Sequence, residues 1–185
     1  MKFKYLIFCL ALAFVSCDSN KKMDSEPDAM AVADSLFQRN SEIVMADIRA
    51  WENETPDYSI YSDNYVGYQT GFGSEKDSIS VEDMKNNDKF ILGIWDFKLL
   101  TDPVVLLPGV NPDTKKPDGS VRYYGTWRVT RTATDSTAEK SGDLKMYGSY
   151  DFDENGKVVY SQMYADWGGL WGYLMSNDSS AEAEE

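Results

Sequence analysis

The spacing of apolar positions changes rhythm along the chain, and each change marks an element. Leu36, Phe37, Val44, Ile48 and Trp51 recur close to every 3.6 residues, with Glu42, Asp47 and Arg49 read as turned to solvent. This spacing predicts an amphipathic helix over 28–52, ending before Thr55-Pro56. The aromatic, glycine-bounded run YVGYQTGF at 65–72 predicts a first strand. Ser80 followed three residues later by Asp83, with Ile79 and Met84 placed as a hydrophobic staple, predicts a capped second helix running to about residue 89. Beyond it the period falls to two. FILGIWDFKLL sets Trp95, Phe97 and Leu99 against Asp96 and Lys98; VRYYGTWRVTRTAT puts Val121, Tyr123, Trp127 and Val129 on one face; DLKMYGSYDF and KVVYSQMYAD continue the alternation. Gly125 predicts a bulge or bend, 108–119 a long loop that folds over a cavity mouth or stays solvated, and Asn155-Gly156 a hairpin turn. Trp167, Leu170, Trp171 and Leu174, at i, i+3, i+4 and i+7, predict a closing helix.

The amino terminus follows a different rule. MKFKYLIFCLALAFVSC has two lysines, an apolar run from Tyr5 to Val15, and Ser16-Cys17. That run suits the core of a secretion signal and falls short of the ~20 apolar residues that span a bilayer. Phe14-Val15-Ser16-Cys17 resembles the lipobox of bacterial lipoproteins, which implies cleavage before Cys17 and its lipidation. Cys9 would leave with the signal, so a mature chain keeps one cysteine and a disulfide is not expected. The expected organisation is a signal over 1–17, a polar tether over 18–28, one domain over 29–175 and an acidic tail over 176–185. The expected location is the bacterial cell envelope, exported and held to a lipid bilayer, at the outer membrane.

Charge and composition remove whole classes of function. A formal charge of −13 opposes binding to nucleic acid, and a chain without histidine lacks the commonest metal ligand and the commonest neutral-pH base. Ser-His-Asp and Cys-His enzymes are excluded. No P-loop, GxGxxG, CxxC or HExxH is present, so no cofactor or metal is expected. Asp151-Phe-Asp153-Glu-Asn155-Gly156 imitates the start of a calcium loop, but Gln162 stands where that loop needs a bidentate carboxylate.

The order helix, strand, helix, then a meander of long strands predicts an α+β fold: a curved antiparallel sheet with the N-terminal helices against its concave face. GTWRVTRTATD and LKMYGSYDFDENGKVVYSQMYADWGGL, beside the RNSEIVMADIRAWEN helix, resemble the nuclear transport factor 2-like superfamily, SnoaL-like branch, over residues 38–174. The resemblance implies a cone-shaped half-barrel around a pocket, with a homodimer formed through the outer sheet face. It also implies a carboxylate base in an apolar cone, beside a donor for a developing enolate. At the matching positions stand Asp166 as the acid, with Tyr164 and Gln162 on the same strand face, and Tyr68, Trp95 and Trp127 as walls.

Two readings stay open at this level. In one, the lipid-anchored protein uses its aromatic cone to hold a small apolar ligand or to support assembly, without catalysis. In the other it is an isomerase, cyclase or dehydratase with Asp166 as base and Tyr164 as donor. Asp166 also precedes the closing apolar set, the place of a helix N-cap, and whether it caps or faces the pocket separates the two.

Overall fold

Three helices lean on one curved sheet in the computed structural model, which describes residues 28–176. The lipobox at Cys17, the tether and most of the acidic tail lie outside the described residues. Helix α1 (Ala29–Glu52) begins where Asp28 accepts the Met30 amide, as the sequence spacing predicts. A short 3-10 turn over Tyr58–Ile60 leads into strand β1 (Tyr61–Tyr68), which starts and stops four residues before the aromatic run suggests. Strand β2 is the pair Ser78–Ile79. Helix α2 (Val81–Leu92) opens on a complete capping box: Ser80 Oγ accepts the Asp83 amide, and Asp83 Oδ2 accepts the Ser80 amide. Phe90 to Leu92, which read as the start of a strand, are its last turn.

The remaining strands are β3 (Trp95–Leu99), β4 (Val105–Val110), β5 (Pro117–Arg131), β6 (Lys140–Phe152) and β7 (Val158–Tyr164), before helix α3 (Trp167–Met175). They form one unclosed sheet in the order β2-β1-β7-β6-β5-β3, with β4 beside β3 along the same edge of β5. The sheet is mixed rather than wholly antiparallel, because β1 runs parallel to β7. That pairing follows from the chain path: after β1 the chain crosses over through α2 and returns to β1's other side only at its last strand. The predicted loop over 108–119 shrinks to 111–116. Its flanks pair as β4 with β5, and Pro108 is accommodated because β4 is an edge strand. None of its residues lines the cavity described below.

Strands β5 and β6 hold unbroken register from Val121↔Tyr150 to Arg131↔Lys140. Gly125 therefore marks no bulge. A Cβ there would collide with the Tyr123 hydroxyl, which lies over the glycine and accepts the Trp127 indole N–H at 2.6 Å. The Asn155-Gly156 turn forms as predicted, with Gly156 at φ 79° and Asp153 accepting the Lys157 amide through its side chain.

Helix α1 crosses the inner face of the sheet and sets the geometry of everything beneath it. Asn40, Val44, Asp47 and Ile48 are buried on one side of the helix. Asn40 Nδ2 donates to the Gly119 carbonyl at 2.8 Å, tying the helix to the start of β5. Gly119 has φ 82°, and a Cβ there would meet Leu36 Cβ at 2.6 Å. Glycine is what lets helix and strand approach this closely.

Candidate functional site

Under the concave face lies a cavity of about 430 Å³, within the size range of small-molecule sites. Its walls come from α1, α2, β1, β3, the middle of β5 to β7, and α3. Aromatic rings form a large part of the wall. Trp51 meets Phe97 edge-on with centroids 5.2 Å apart, Phe97 meets Trp127 at 6.4 Å, and Trp95 leans on Trp171 at 4.8 Å. These rings pack because β3 and β5 direct alternate residues inward and α1 and α3 cover them. Among the described residues, one buried side-chain donor of a wall residue stays without a partner: the indole N–H of Trp95, which is closed off from solvent.

Two carboxylates interrupt this apolar lining. Asp47 of α1 is 6% exposed and receives the hydroxyls of Tyr150 at 3.3 Å and Tyr61 at 3.4 Å. Burial pushes its acid up to about 7; the two hydroxyl donors hold it back only in part, and negative charge on Asp88 adds to the rise. Asp88 of α2, equally buried, accepts from the Tyr58 hydroxyl at 3.0 Å and is pushed by burial up to about 6. The tyrosines move the other way: burial and the adjacent carboxylates hold Tyr58, Tyr61 and Tyr150 well above the ordinary phenol value, so they remain donors at any physiological pH. Tyr65, pushed up to about 12 by burial, shares a 2.7 Å hydrogen bond with Ser161 on the same inner face. Among the described residues no lysine or arginine lines the cavity. The acids are thus met by neutral donors in place of counter-charges.

This arrangement can hold a proton on Asp47 or release it near neutral pH. A carboxyl tuned to that range serves as base in one step and acid in the next. Asp88 has the same capacity about one pH unit lower.

The sequence-predicted site residues divide. Trp95 and Trp127 face the cavity. Tyr68 and Gln162 border it where β1 pairs with β7, but their register puts the side chains on the outer face; Gln162 Oε1 accepts from the Tyr160 hydroxyl at 2.8 Å. Tyr164 is 47% exposed on that outer face, against Tyr147. Asp166 is the N-cap of α3, its Oδ1 accepting the Gly169 amide at 2.9 Å, and it is not part of the cavity wall. Tyr164 and Asp166 therefore lie outside the cavity wall, and the buried acid within it is Asp47, with Tyr61 and Tyr150 as its hydroxyl partners. The alternation was right and its phase was wrong: Ser161 and Met163, not Gln162 and Tyr164, turn inward from β7. Asp47, read as solvent-facing because it is charged, sits at i+3 from Val44 and i−4 from Trp51, inside the apolar stripe. Asp88 likewise falls between Met84 and Ile91 at i+4 and i−3. A charge placed on the buried stripe of a helix is the signal that would have found both.

No family model and no curated protein matches the chain. Solved structures do. A candidate polyketide cyclase from Xanthomonas campestris pv. campestris superimposes with a TM-score of 0.57 at 12% identity, over 75% of this chain and 98% of its own. A candidate SnoaL-like polyketide cyclase from Shewanella denitrificans OS-217 gives 0.52 at 11% identity, over 73% and 96%. An LEH-like epoxide hydrolase from M. tuberculosis gives 0.51 at 16% identity, over 74% and 90%. They show the fold that the sequence resembles, that of the SnoaL-like branch of the nuclear transport factor 2-like superfamily.

Proposed function

We propose that the protein is an acid–base enzyme of the isomerase, cyclase or dehydratase type, acting on a small and largely apolar carbonyl compound, with Asp47 as the group that moves the proton. One observation carries this: a carboxyl buried in an apolar cavity, held by tyrosine hydroxyls and no cation, is tuned to exchange its proton near pH 7. In the proposed step ionised Asp47 takes a proton from the carbon next to the carbonyl. The electron pair moves onto the carbonyl oxygen, and the proton returns from Asp47 to another carbon of the same framework. The Tyr65 hydroxyl beside Ser161 is the neutral donor suited to the developing oxyanion. The fold shared with polyketide cyclases and an epoxide hydrolase supports catalysis over simple ligand storage. Storage of a neutral ligand would also give no use for buried acids at this cost in desolvation.

The test is hydrogen–deuterium exchange at the α-carbon of 2-tetralone in D2O, followed by proton NMR. The chain should accelerate the exchange and Asp47→Asn should abolish the acceleration. Equal rates for both proteins would overturn the assignment of Asp47.

Anchoring through Cys17 and placement in the cell envelope are part of the same proposal. Metabolic labelling with an alkyne fatty acid should mark the wild-type chain and not Cys17→Ala. Pairing of two copies through the outer sheet face is supported by its exposed Val105, Tyr124 and Tyr164, with Tyr147 between the last two rings.

A further inference from the structure

Taking the cavity as the substrate site, as the preceding reading does, its charge and its rings together restrict what can enter. An anion would meet Asp47 and Asp88 with no lysine or arginine in the wall to compensate. A purely neutral ligand would bury both acids further without giving either a charge partner. An ammonium group removes that penalty. The walls favour the same choice. Trp51, Phe97 and Trp127 meet at interplanar angles of 77° and 78°, so they do not cover one another's faces in parallel stacks. Aromatic rings and carboxylates in one cavity wall are the two elements that hold organic cations in water-poor sites. The near-parallel stack in this region, Phe90 on Trp171 at 21°, involves a ring outside the cavity wall. At long range the formal charge of −13 draws cations and repels anions.

We infer that the cavity takes an organic amine in its cationic form, its ammonium group seated against the faces of Trp51 and Trp127 with Asp47 and Asp88 as counter-charges. Asp88 holds the charge while Asp47 is left to exchange its proton. The substrate class of the proposed reaction is then an apolar carbonyl compound that also carries a basic nitrogen.

Isothermal titration of the 185-residue chain at pH 7.5 with three probes of one shape tests this. They are benzyltrimethylammonium, its uncharged isostere neopentylbenzene, and the anion phenylmethanesulfonate. The ammonium should bind roughly tenfold or more tightly than the isostere, as desolvated cation–π and ion pairing together require, and the sulfonate should not bind. Asp88→Asn should reduce the preference, and the double variant Asp47→Asn/Asp88→Asn should lose it while still binding neopentylbenzene, which shows that the cavity remains intact. Neopentylbenzene binding the wild-type chain as tightly as the ammonium would overturn the inference and leave the acid–base reading standing. Binding of none of the three would overturn the inference as well; the acid–base reading falls with it only if the Asp47-dependent exchange of 2-tetralone is also absent.

Discussion

Replacing Asp47 with asparagine should make the protein more tolerant of high pH, and the size of the effect follows from the burial of one carboxyl. Asp47 titrates at about 7 in the folded chain against 3.8 when solvated. The folded state therefore binds this proton more tightly than the unfolded state. The stability it confers is complete below about pH 4 and is lost as pH rises through 7. Across the whole shift the loss is about 4 kcal/mol, at 1.36 kcal/mol per pH unit. Between pH 5 and pH 8 it is about 2–3 kcal/mol, because part of the shift has already been expressed at pH 5. Asparagine keeps the shape and one acceptor for Tyr61 and Tyr150 but leaves an amide N–H2 to satisfy, at about 1–3 kcal/mol independent of pH. The variant should be no more stable than wild type at pH 5 and should gain on it by about 2–3 kcal/mol by pH 8. In a domain of this size that corresponds to a relative rise in Tm of roughly 5–10 °C. Urea unfolding of both proteins at half-unit steps from pH 5 to 8 measures the difference directly. Parallel stability profiles would refute the reasoning, because they would mean that Asp47 titrates alike in the folded and unfolded chains.

Two further outcomes separate architecture from chemistry. Asp166→Ala removes the cap of α3 and should cost about 0.5–2 kcal/mol in urea unfolding, while 2-tetralone exchange per folded molecule stays at the wild-type rate. Gly125→Ala drives a methyl into the Tyr123 hydroxyl; it should destabilise by roughly 1–3 kcal/mol, and relaxation of the clash by Tyr123→Phe in the same chain should recover part of the loss.

Legibility in the sequence tracked the strength of the local signal. The capping box at Ser80, the Asn155-Gly156 turn and the Asp166 cap each depend on a few neighbouring residues, and each appears where the sequence puts it. The parallel β1–β7 pair was not legible, since no neighbour of Val66 announces that it will meet Tyr160. Gly125 was legible as a special position but not for its reason, which is a side chain two residues away on the same strand. The site was legible in its walls, through Trp95 and Trp127, and not in its acids. Polarity alone assigned Asp47 to solvent, whereas its angular position on α1 assigns it to the core. On a helix that covers a cavity, the residue that breaks the hydrophobic pattern is the one to examine, and a rule that sorts residues by polarity discards it.

The bond from Tyr150 to Asp47 joins positions 103 residues apart. During synthesis, or in any fragment that lacks β6, Asp47 is an ordinary solvated acid, fully ionised at neutral pH and without special reactivity. Its capacity to hold or release a proton near pH 7 comes into being only when the late strands close beneath α1. On the proposed export, a chain held unfolded for passage across a membrane would carry Asp47 as an ordinary acid until it folded.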